Sequence, residues 1–153
     1  MADWNPNLVP SKLTKAGLTC VGQFHVDTPA STSITSGTPT KLLGTTLPGP
    51  LKGWTHSSGR LTYNGSKRTV WALVTADIKP DNVAMDAIVY IALNGTEIAR
   101  TVSQRRLVAA GQSGVAALNA YIEVQRGDYL EVFVDSDVSN SVTSDNYILS
   151  VAG

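Results

Sequence analysis

Few residues of the types that do chemistry in proteins stand at spacings that would let them act together. The only histidines are His25 and His56, and neither has a carboxylate or cysteine partner at the spacing of a metal site or a catalytic pair. His25 falls in a predicted strand and points away from the face of Cys20, whereas His56 falls in a predicted loop. The pattern therefore predicts two surface histidines and no histidine-based active site.

Two further groups offer weak signals. Gly-Gln-Ser-Gly at 111–114 is similar to part of a nucleophile elbow, but Val115 stands where that motif has its last glycine, and no helical pattern follows. Asp135, Asp137 and Asp145 carry the oxygen ligands that calcium prefers, yet the Ser- and Asn-rich sequence around them is typical of a solvated loop. We predict no catalytic residues, no metal and no cofactor.

The amino-acid composition limits the kinds of molecule that the protein could bind. Charged residues make up 16% of the 153 positions, against roughly 25% in ordinary soluble domains, while hydrophobic residues make up 42%. A chain with so few charges has little polar surface to expose to water, which favours a protein that is part of a larger assembly. A formal net charge of zero argues against general affinity for nucleic acid or anionic membranes, and the basic pairs Lys67-Arg68 and Arg105-Arg106 are expected at solvated strand ends.

The sequence shows neither the pattern of a membrane span nor that of a signal peptide, and this sets the cellular compartment that we expect. No apolar run reaches the roughly 18–20 residues of a membrane span, and residues 1–12 do not have the pattern of a signal peptide. Folding in a cytoplasm is therefore expected. The single Cys20 cannot form an intrachain disulfide, and because it shares a strand face with Leu18, Phe24 and Val26, we predict a buried structural thiol.

The elements that would position these residues are strands. In AIVYIALNGTEIART, residues 87–101, Asn94-Gly95 predicts a two-residue hairpin turn, because both positions of that turn need a positive φ. Similar signals recur every 8–12 residues, as expected of a sandwich or barrel. The predicted strands are 17–26, a short one near 40–44, 59–63, 69–78, 87–93, 97–102 with a possible continuation to 108, 115–125, 129–135 and 147–151, with a polar loop over 136–146.

The chain divides into an arm and one domain. Residues 1–16 contain Pro6 and Pro10, which disfavour helix, so an extended N-terminal arm is expected. Residues 17–153 suit a single all-β sandwich with one core. Within it, 27–53 is rich in Ser, Thr, Pro and Gly, which favours loops and short edge strands.

Several strands are apolar on both faces. A strand with one wet face alternates apolar and polar side chains, but in 115–125 the even positions are all apolar and the odd positions include Val115, Ala117 and Tyr121. The second face of these strands is rich in aromatic residues and alanine, a composition typical of protein–protein contacts. We predict that a copy of the same chain covers it, in a cyclic oligomer whose subunit number the pattern leaves open.

The later strands resemble a known family. The segments GRLTYNG (59–65), ALNGTEIAR (92–100) and VQRGDYLEVFV (124–134), with the strand around Trp71 and the terminal YILSVAG, are similar to the tumour-necrosis-factor and complement-globular-head jelly roll, which occurs in bacteriophage proteins as well. The likeness covers residues 54–153 and implies an antiparallel jelly roll that forms a homotrimer. The residues it implies at the trimer interface are Trp71, Tyr90, Asn119, Tyr121, Tyr129 and Phe133.

The resemblance to phage proteins suggests a function. We expect a capsid decoration, or cement, protein made in the bacterial cytoplasm, whose trimer binds the major capsid protein on the virion surface and stabilises the shell. The arm would make the capsid contact with Trp4, Leu8 and Leu13 as apolar anchors and Lys12 and Lys15 facing acidic patches. The alternatives are a disordered leader in place of the arm and a receptor- or glycan-binding fibre tip in place of a cement protein.

Overall fold

The fold is a two-sheet antiparallel sandwich. The computed structural model describes residues 20–153, which contain twelve strands and no helix. The predicted all-β jelly-roll class is confirmed, while the expectations for residues 1–19, including the arm, lie outside the described residues. The strands are β1 (Val21–Pro29), β2 (Ser31–Ile34), β3 (Thr40–Lys41), β4 (Gly44–Lys52), β5 (Trp54–Ser57), β6 (Arg60–Tyr63), β7 (Arg68–Pro80), β8 (Met85–Leu93), β9 (Thr96–Leu107), β10 (Gly114–Val124), β11 (Tyr129–Ser136) and β12 (Asn140–Ala152).

Each sheet has six strands. Sheet I has the order β10-β7-β12-β1-β4, with β2 beside β12, and sheet II has the order β5-β6-β11-β8-β9, with β3 beside β11. The first and last strands are neighbours, since Val21 pairs with Ala152 and Cys20 exchanges two backbone hydrogen bonds with Gly153. The chain therefore enters the described fold beside the point where it ends.

One hydrophobic core lies between the sheets and is built from the inward face of each long strand. In β7 the even-numbered side chains from Val70 to Ile78 are buried, and in β8 the side chains of Ala87, Val89 and Ile91 are buried, as the alternation predicts. Cys20 belongs to this core, with its Sγ atom 3.7 Å from a guanidinium nitrogen of Arg68, so the predicted buried thiol is confirmed.

The predicted hairpin joins β8 to β9. Asn94 and Gly95 have φ values of 53° and 79°, and Leu93 pairs with Thr96 across the turn. Asn94 also fixes the next turn along this end of the sandwich, because its side-chain oxygen accepts a hydrogen bond from the backbone of Tyr129 and its amide donates to Asp128. The turn residues Asn94 and Gly95, which are recognisable in the sequence, thus help to fix the register of β8 and β9 in sheet II.

Three segments differ from the predictions. Residues 27–53 contain the short strands β2 and β3, as predicted, but also the nine-residue β4, which is longer than the predicted edge strands and tolerates its prolines because it lies at the edge of sheet I. The predicted loop over 136–146 is wrong from Asn140 onward, since β12 already pairs with β2 there, with a register shift between Thr143 and Asn146. His56 lies in β5 and not in a loop.

Burial gives Tyr147 a marked influence on alkaline stability. Its ring lies in the core, 6.0 Å from the ring of Phe24 in an edge-on contact, and burial raises its pKa from 10.0 to about 12. Unfolding would return the phenol to its ordinary pKa, so this contribution to stability is complete below pH 10 and is lost as the pH rises to 12.

We expect the free energy of unfolding to fall by about 2 kcal/mol more between pH 9 and pH 12 in the parent chain than in a Tyr147→Phe variant, at about 1.4 kcal/mol per pKa unit. Urea titrations at each pH would measure it. An equal alkaline loss in the two proteins would contradict the assignment of this loss to Tyr147.

Candidate functional site: the apolar outer face of sheet I

The outward side of sheet I exposes a band of apolar side chains. Along the edge strand β10, inward residues are buried, except for the partly buried Ala120, and outward residues are exposed, with Tyr121 exposed by 68% and Val115 by 55%. On the neighbouring β7, Trp71 and Leu73 point the same way and are exposed by 38% and 41%. We call this band, made of Val115, Ala117, Asn119 and Tyr121 of β10 with Trp71 and Leu73 of β7, the apolar face.

The register of the strands brings the members of the apolar face together. Tyr121 pairs with Trp71, and Asn119 pairs with Leu73, so two cross-strand rows lie next to each other. The rings of Trp71 and Tyr121 contact edge-on, with centroids 4.7 Å apart. Two large aromatic rings in contact on an open surface keep much apolar area in water, and such patches commonly mark protein contacts.

A shallow apolar trough adjoins this face. Its floor is formed by small residues of β1 and β12, including Gly22 and Ala152, between a wall of Trp71 and Leu73 on one side and Pro50 of β4 on the other. Its volume is about 200 Å³. We call it the trough and define it by Val21, Gly22, Gln23, Pro50, Trp71, Leu73, Ser150, Val151 and Ala152.

The strands at the two edges of sheet I are protected against the addition of another strand. Arg100 of β9 donates a hydrogen bond to the backbone oxygen of Tyr121 at 3.3 Å, which occupies an acceptor of β10. At the other edge, β4 contains Pro48 and Pro50, which have no N–H group to donate. Native sheets commonly limit edge pairing in these ways, so the geometry favours contact through the side chains of the apolar face.

The six residues predicted at the trimer interface fall on two opposite sides of the sandwich. Trp71, Asn119 and Tyr121 lie on the apolar face, whereas Tyr90, Tyr129 and Phe133 lie on sheet II, where Phe133 pairs with Tyr90. The three on sheet II are partly buried within their own chain.

On sheet II, the three predicted residues are partly buried, and for Tyr129 the covering group is a side chain of the same chain. The guanidinium of Arg60 lies 3.8 Å from the centre of the Tyr129 ring. Burial, together with the carboxylates of Asp135 and Glu97, raises the pKa of Tyr90. The apolar face therefore leaves more of its aromatic surface open to a partner than this side does.

Sheet II also holds an ion-pair cluster that the sequence did not reveal. Glu131 lies between Tyr129 and Phe133 on the same outward face of β11 and would be expected in water, but only 2% of it is exposed. Its carboxylate lies 2.8 Å from Lys41 Nζ and 3.2 Å from Arg60, and Lys41 also donates to the backbone oxygen of Ser58. A buried carboxylate held by two cations fixes the three strands β3, β6 and β11 relative to one another.

The candidate catalytic residues are held in structural contacts. Nε2 of His56 lies 2.8 Å from the hydroxyl of Thr46, and burial, followed by the positive charges of His25 and Lys41, lowers the pKa of His56. Ser113 of the elbow-like turn donates to Asp77 at 2.8 Å. These contacts tie loops and strands together.

The three candidate calcium ligands do not converge. Asp145 lies 3.1 Å from Lys79, whereas Asp137 accepts a hydrogen bond from the backbone of Asp86 and Asp135 accepts one from Ser136. Over residues 20–153, no group of three or more His, Cys, Asp and Glu side chains is placed to hold a metal ion. Nor does this range contain a helix long and apolar enough to cross a membrane.

Comparison with solved structures identifies the fold. An Eiger TNF from S. frugiperda matches with a TM-score of 0.56 at 11% identity, covering 88% of this chain and 92% of that one. The globular domain of zebrafish complement 1qA matches with a TM-score of 0.54 at 7% identity, covering 86% and 94%. The vertex protein P5 of bacteriophage PRD1 matches with a TM-score of 0.56 at 16% identity, covering 89% and 97%.

The chain therefore has the TNF and complement-head jelly-roll fold, which it shares with a phage structural protein. The predicted resemblance is confirmed at the level of the fold. No protein-family profile and no curated protein sequence matches the chain.

Proposed function

We propose that this protein is a non-enzymatic structural component of a bacteriophage virion, a decoration protein that assembles as a homotrimer and binds the outside of the capsid. The observation that carries the proposal is the apolar face, where Trp71, Leu73 and Tyr121 are exposed together on one sheet. The likeness to a phage vertex protein supports a place in the virion.

The apolar face supports self-association. Burial of each large apolar side chain contributes about 1.5–3 kcal/mol, and a handful of them offsets the roughly 4–15 kcal/mol that association costs. The contacts in a ring of three are heterologous, so the apolar face of one chain meets a different surface of the next. Three subunits, and not another number, follow from the resemblance to the TNF and complement-head jelly roll.

The capsid contact is assigned to the arm. Residues 1–16 carry Trp4, Leu8 and Leu13 with Lys12 and Lys15 between and after them, a combination suited to apolar pockets rimmed by acidic side chains on the major capsid protein. A ligand that binds only the assembled lattice raises the stability of that lattice by mass action. The decoration protein would therefore stabilise the shell against the pressure of the packaged DNA.

A chain that lacks residues 2–16 is expected to form the same oligomer as the parent and to lose binding to purified capsids. Capsids heated with the full chain should melt at a higher temperature than bare capsids, and the shortened chain should give no such rise. Equal decoration by the two chains would overturn the assignment of the arm. The number of copies per purified virion separates the two candidate roles, because hundreds indicate decoration and a few indicate a fibre tip.

A further inference from the structure

We propose that Asn64 is a site of spontaneous deamidation, where the folded chain converts a side-chain amide into a carboxylate, and that the fold protects Asn94 from the same reaction. The dipeptide Asn-Gly occurs at 64–65 and at 94–95. Glycine has no Cβ, so the backbone nitrogen that follows each of these asparagines is open to the side chain before it. The two pairs therefore have the same intrinsic chemistry, and their folded surroundings decide how fast each reacts.

The reaction at Asn64 needs no reagent but water. The backbone nitrogen of Gly65 loses its proton and attacks Cγ of Asn64, so that a new C–N bond closes a succinimide ring. The bond between Cγ and Nδ2 breaks, and the Nδ2 group takes up a proton and leaves as ammonia. Water then opens the ring. Opening at Cγ gives aspartate, whereas opening at the backbone carbonyl gives isoaspartate, in which the main chain runs through the former side chain.

The surroundings of Asn64 leave its side chain free to react. Asn64 is exposed in the turn between β6 and β7, and within residues 20–153 its side chain makes no hydrogen bond. Its backbone N–H donates to the oxygen of Gly53 at 2.9 Å, but residues 65–67 form no backbone hydrogen bond in this part of the chain. Regular pairing resumes only at Arg68, opposite Val124. The nitrogen of Gly65 can therefore approach Cγ of Asn64 without breaking a hydrogen bond.

The surroundings of Asn94 hold its side chain in place. Its Oδ1 accepts a hydrogen bond from the backbone of Tyr129 at 3.0 Å, and its Nδ2 donates to Asp128 at 2.9 Å. Its own N–H donates to the oxygen of Tyr129 at 2.9 Å. Attack by Gly95 would require the side chain to leave both of its partners and turn back along the chain. The contacts that shape this hairpin thus also protect it chemically.

Conversion of Asn64 would change this end of the sandwich. It adds one negative charge to a chain whose formal net charge is zero, close in sequence to Lys67, which pairs with Glu123 at 2.8 Å. Isoaspartate also adds one carbon to the main chain just after Tyr63, whose N–H donates to the oxygen of Asp128 at 2.8 Å. The product is therefore a distinct form of the protein that ion exchange can separate from the parent.

Peptide mapping of the incubated full chain tests the proposal. The folded chain is kept at mildly alkaline pH, and a second sample is kept in guanidinium chloride as the unfolded reference. Tryptic peptides 61–67 and 69–100 contain the two sites, and mass spectrometry with fragmentation measures the conversion of each. In the folded chain Asn64 should react at least about tenfold faster than Asn94, because Asn94 must first lose two hydrogen bonds. In the unfolded reference the two rates should be about equal.

Two variants assign the acidic product to its residue. Asn64→Gln, whose longer side chain forms the ring much more slowly, should stop the growth of the acidic form on ion exchange. Asn82→Gln is the matched control, an exposed asparagine in the turn between β7 and β8 that is followed by Val83, and should leave that growth unchanged. Growth of the acidic form at the parent's rate in Asn64→Gln, or a folded chain in which Asn64 reacts no faster than Asn94, would overturn the proposal.

Discussion

Replacing Tyr121 with aspartate is expected to separate the trimer into single folded chains. Tyr121 is 68% exposed within one chain, so the substitution leaves the core intact, but every contact in the ring loses its most exposed aromatic side chain. Loss of the burial of this side chain costs about 1.5–3 kcal/mol at each of the three contacts. The dissociation constant of the trimer should therefore rise at least about a thousandfold. A carboxylate without a partner at each contact adds to the loss.

Sedimentation from micromolar to nanomolar concentrations would measure the Tyr121→Asp effect. Val83→Asp is the matched control, because Val83 is 49% exposed in the turn between β7 and β8 and belongs to neither sheet. The control should keep the mass and the melting temperature of the parent. Tyr121→Asp should melt at a lower temperature than the parent at the same concentration, because the loss of the trimer removes its contribution to stability. Retention of the trimer by Tyr121→Asp would contradict the role of the apolar face.

Phe24→Ala is expected to give the second large effect, a fall of about 3–5 kcal/mol in the free energy of unfolding. Phe24 is fully buried, with ring contacts to His56 and Tyr147 that link β1 to β5 and β12. Its neighbour His25 points outward and is only partly buried, so His25→Ala should change stability by no more than about 0.5 kcal/mol. Urea titrations at one fixed protein concentration would compare the two variants.

The pair Phe24→Ala and His25→Ala also tests the register of β1. Because the side chains of a strand alternate between faces, a shift of one residue would exchange the two results. A large loss for His25→Ala with a small loss for Phe24→Ala would place β1 one residue out of register with β12 and β4.

The sequence predicted most of the strands because turns and alternation are local signals. Asn94-Gly95 defined the hairpin of β8 and β9. The apolar alternation of 69–78 and 115–125 defined β7 and β10, which pair along the whole length of β10. The strands with polar or proline-rich sequences were harder to predict. β4 contains Pro48 and Pro50 and forms because it pairs with β1. The Ser-, Thr-, Pro- and Gly-rich composition of residues 27–53 does not reveal this pairing.

The apolar character of the candidate site could be read from the sequence, but the relative positions of its predicted residues could not. Double-sided apolar strands indicated a covered surface, and Trp71, Asn119 and Tyr121 do lie together on one face. The sequence could not show that Tyr90, Tyr129 and Phe133 belong to the other sheet. Alternation shows which side of its own strand a residue is on, but it does not show which of the two sheets contains that strand. Glu131 was likewise missed, since its partners Lys41 and Arg60 are brought to it only by the pairing of β3 and β6 with β11.

The mass of the full chain in dilute solution tests the central claim most directly. Each chain weighs 16.2 kDa, and sedimentation equilibrium at micromolar concentration should give a single species of three chains. A single chain at that concentration, with Trp71 and Tyr121 open to a soluble quencher or probe, would contradict the account of the apolar face as the contact that holds the assembly together.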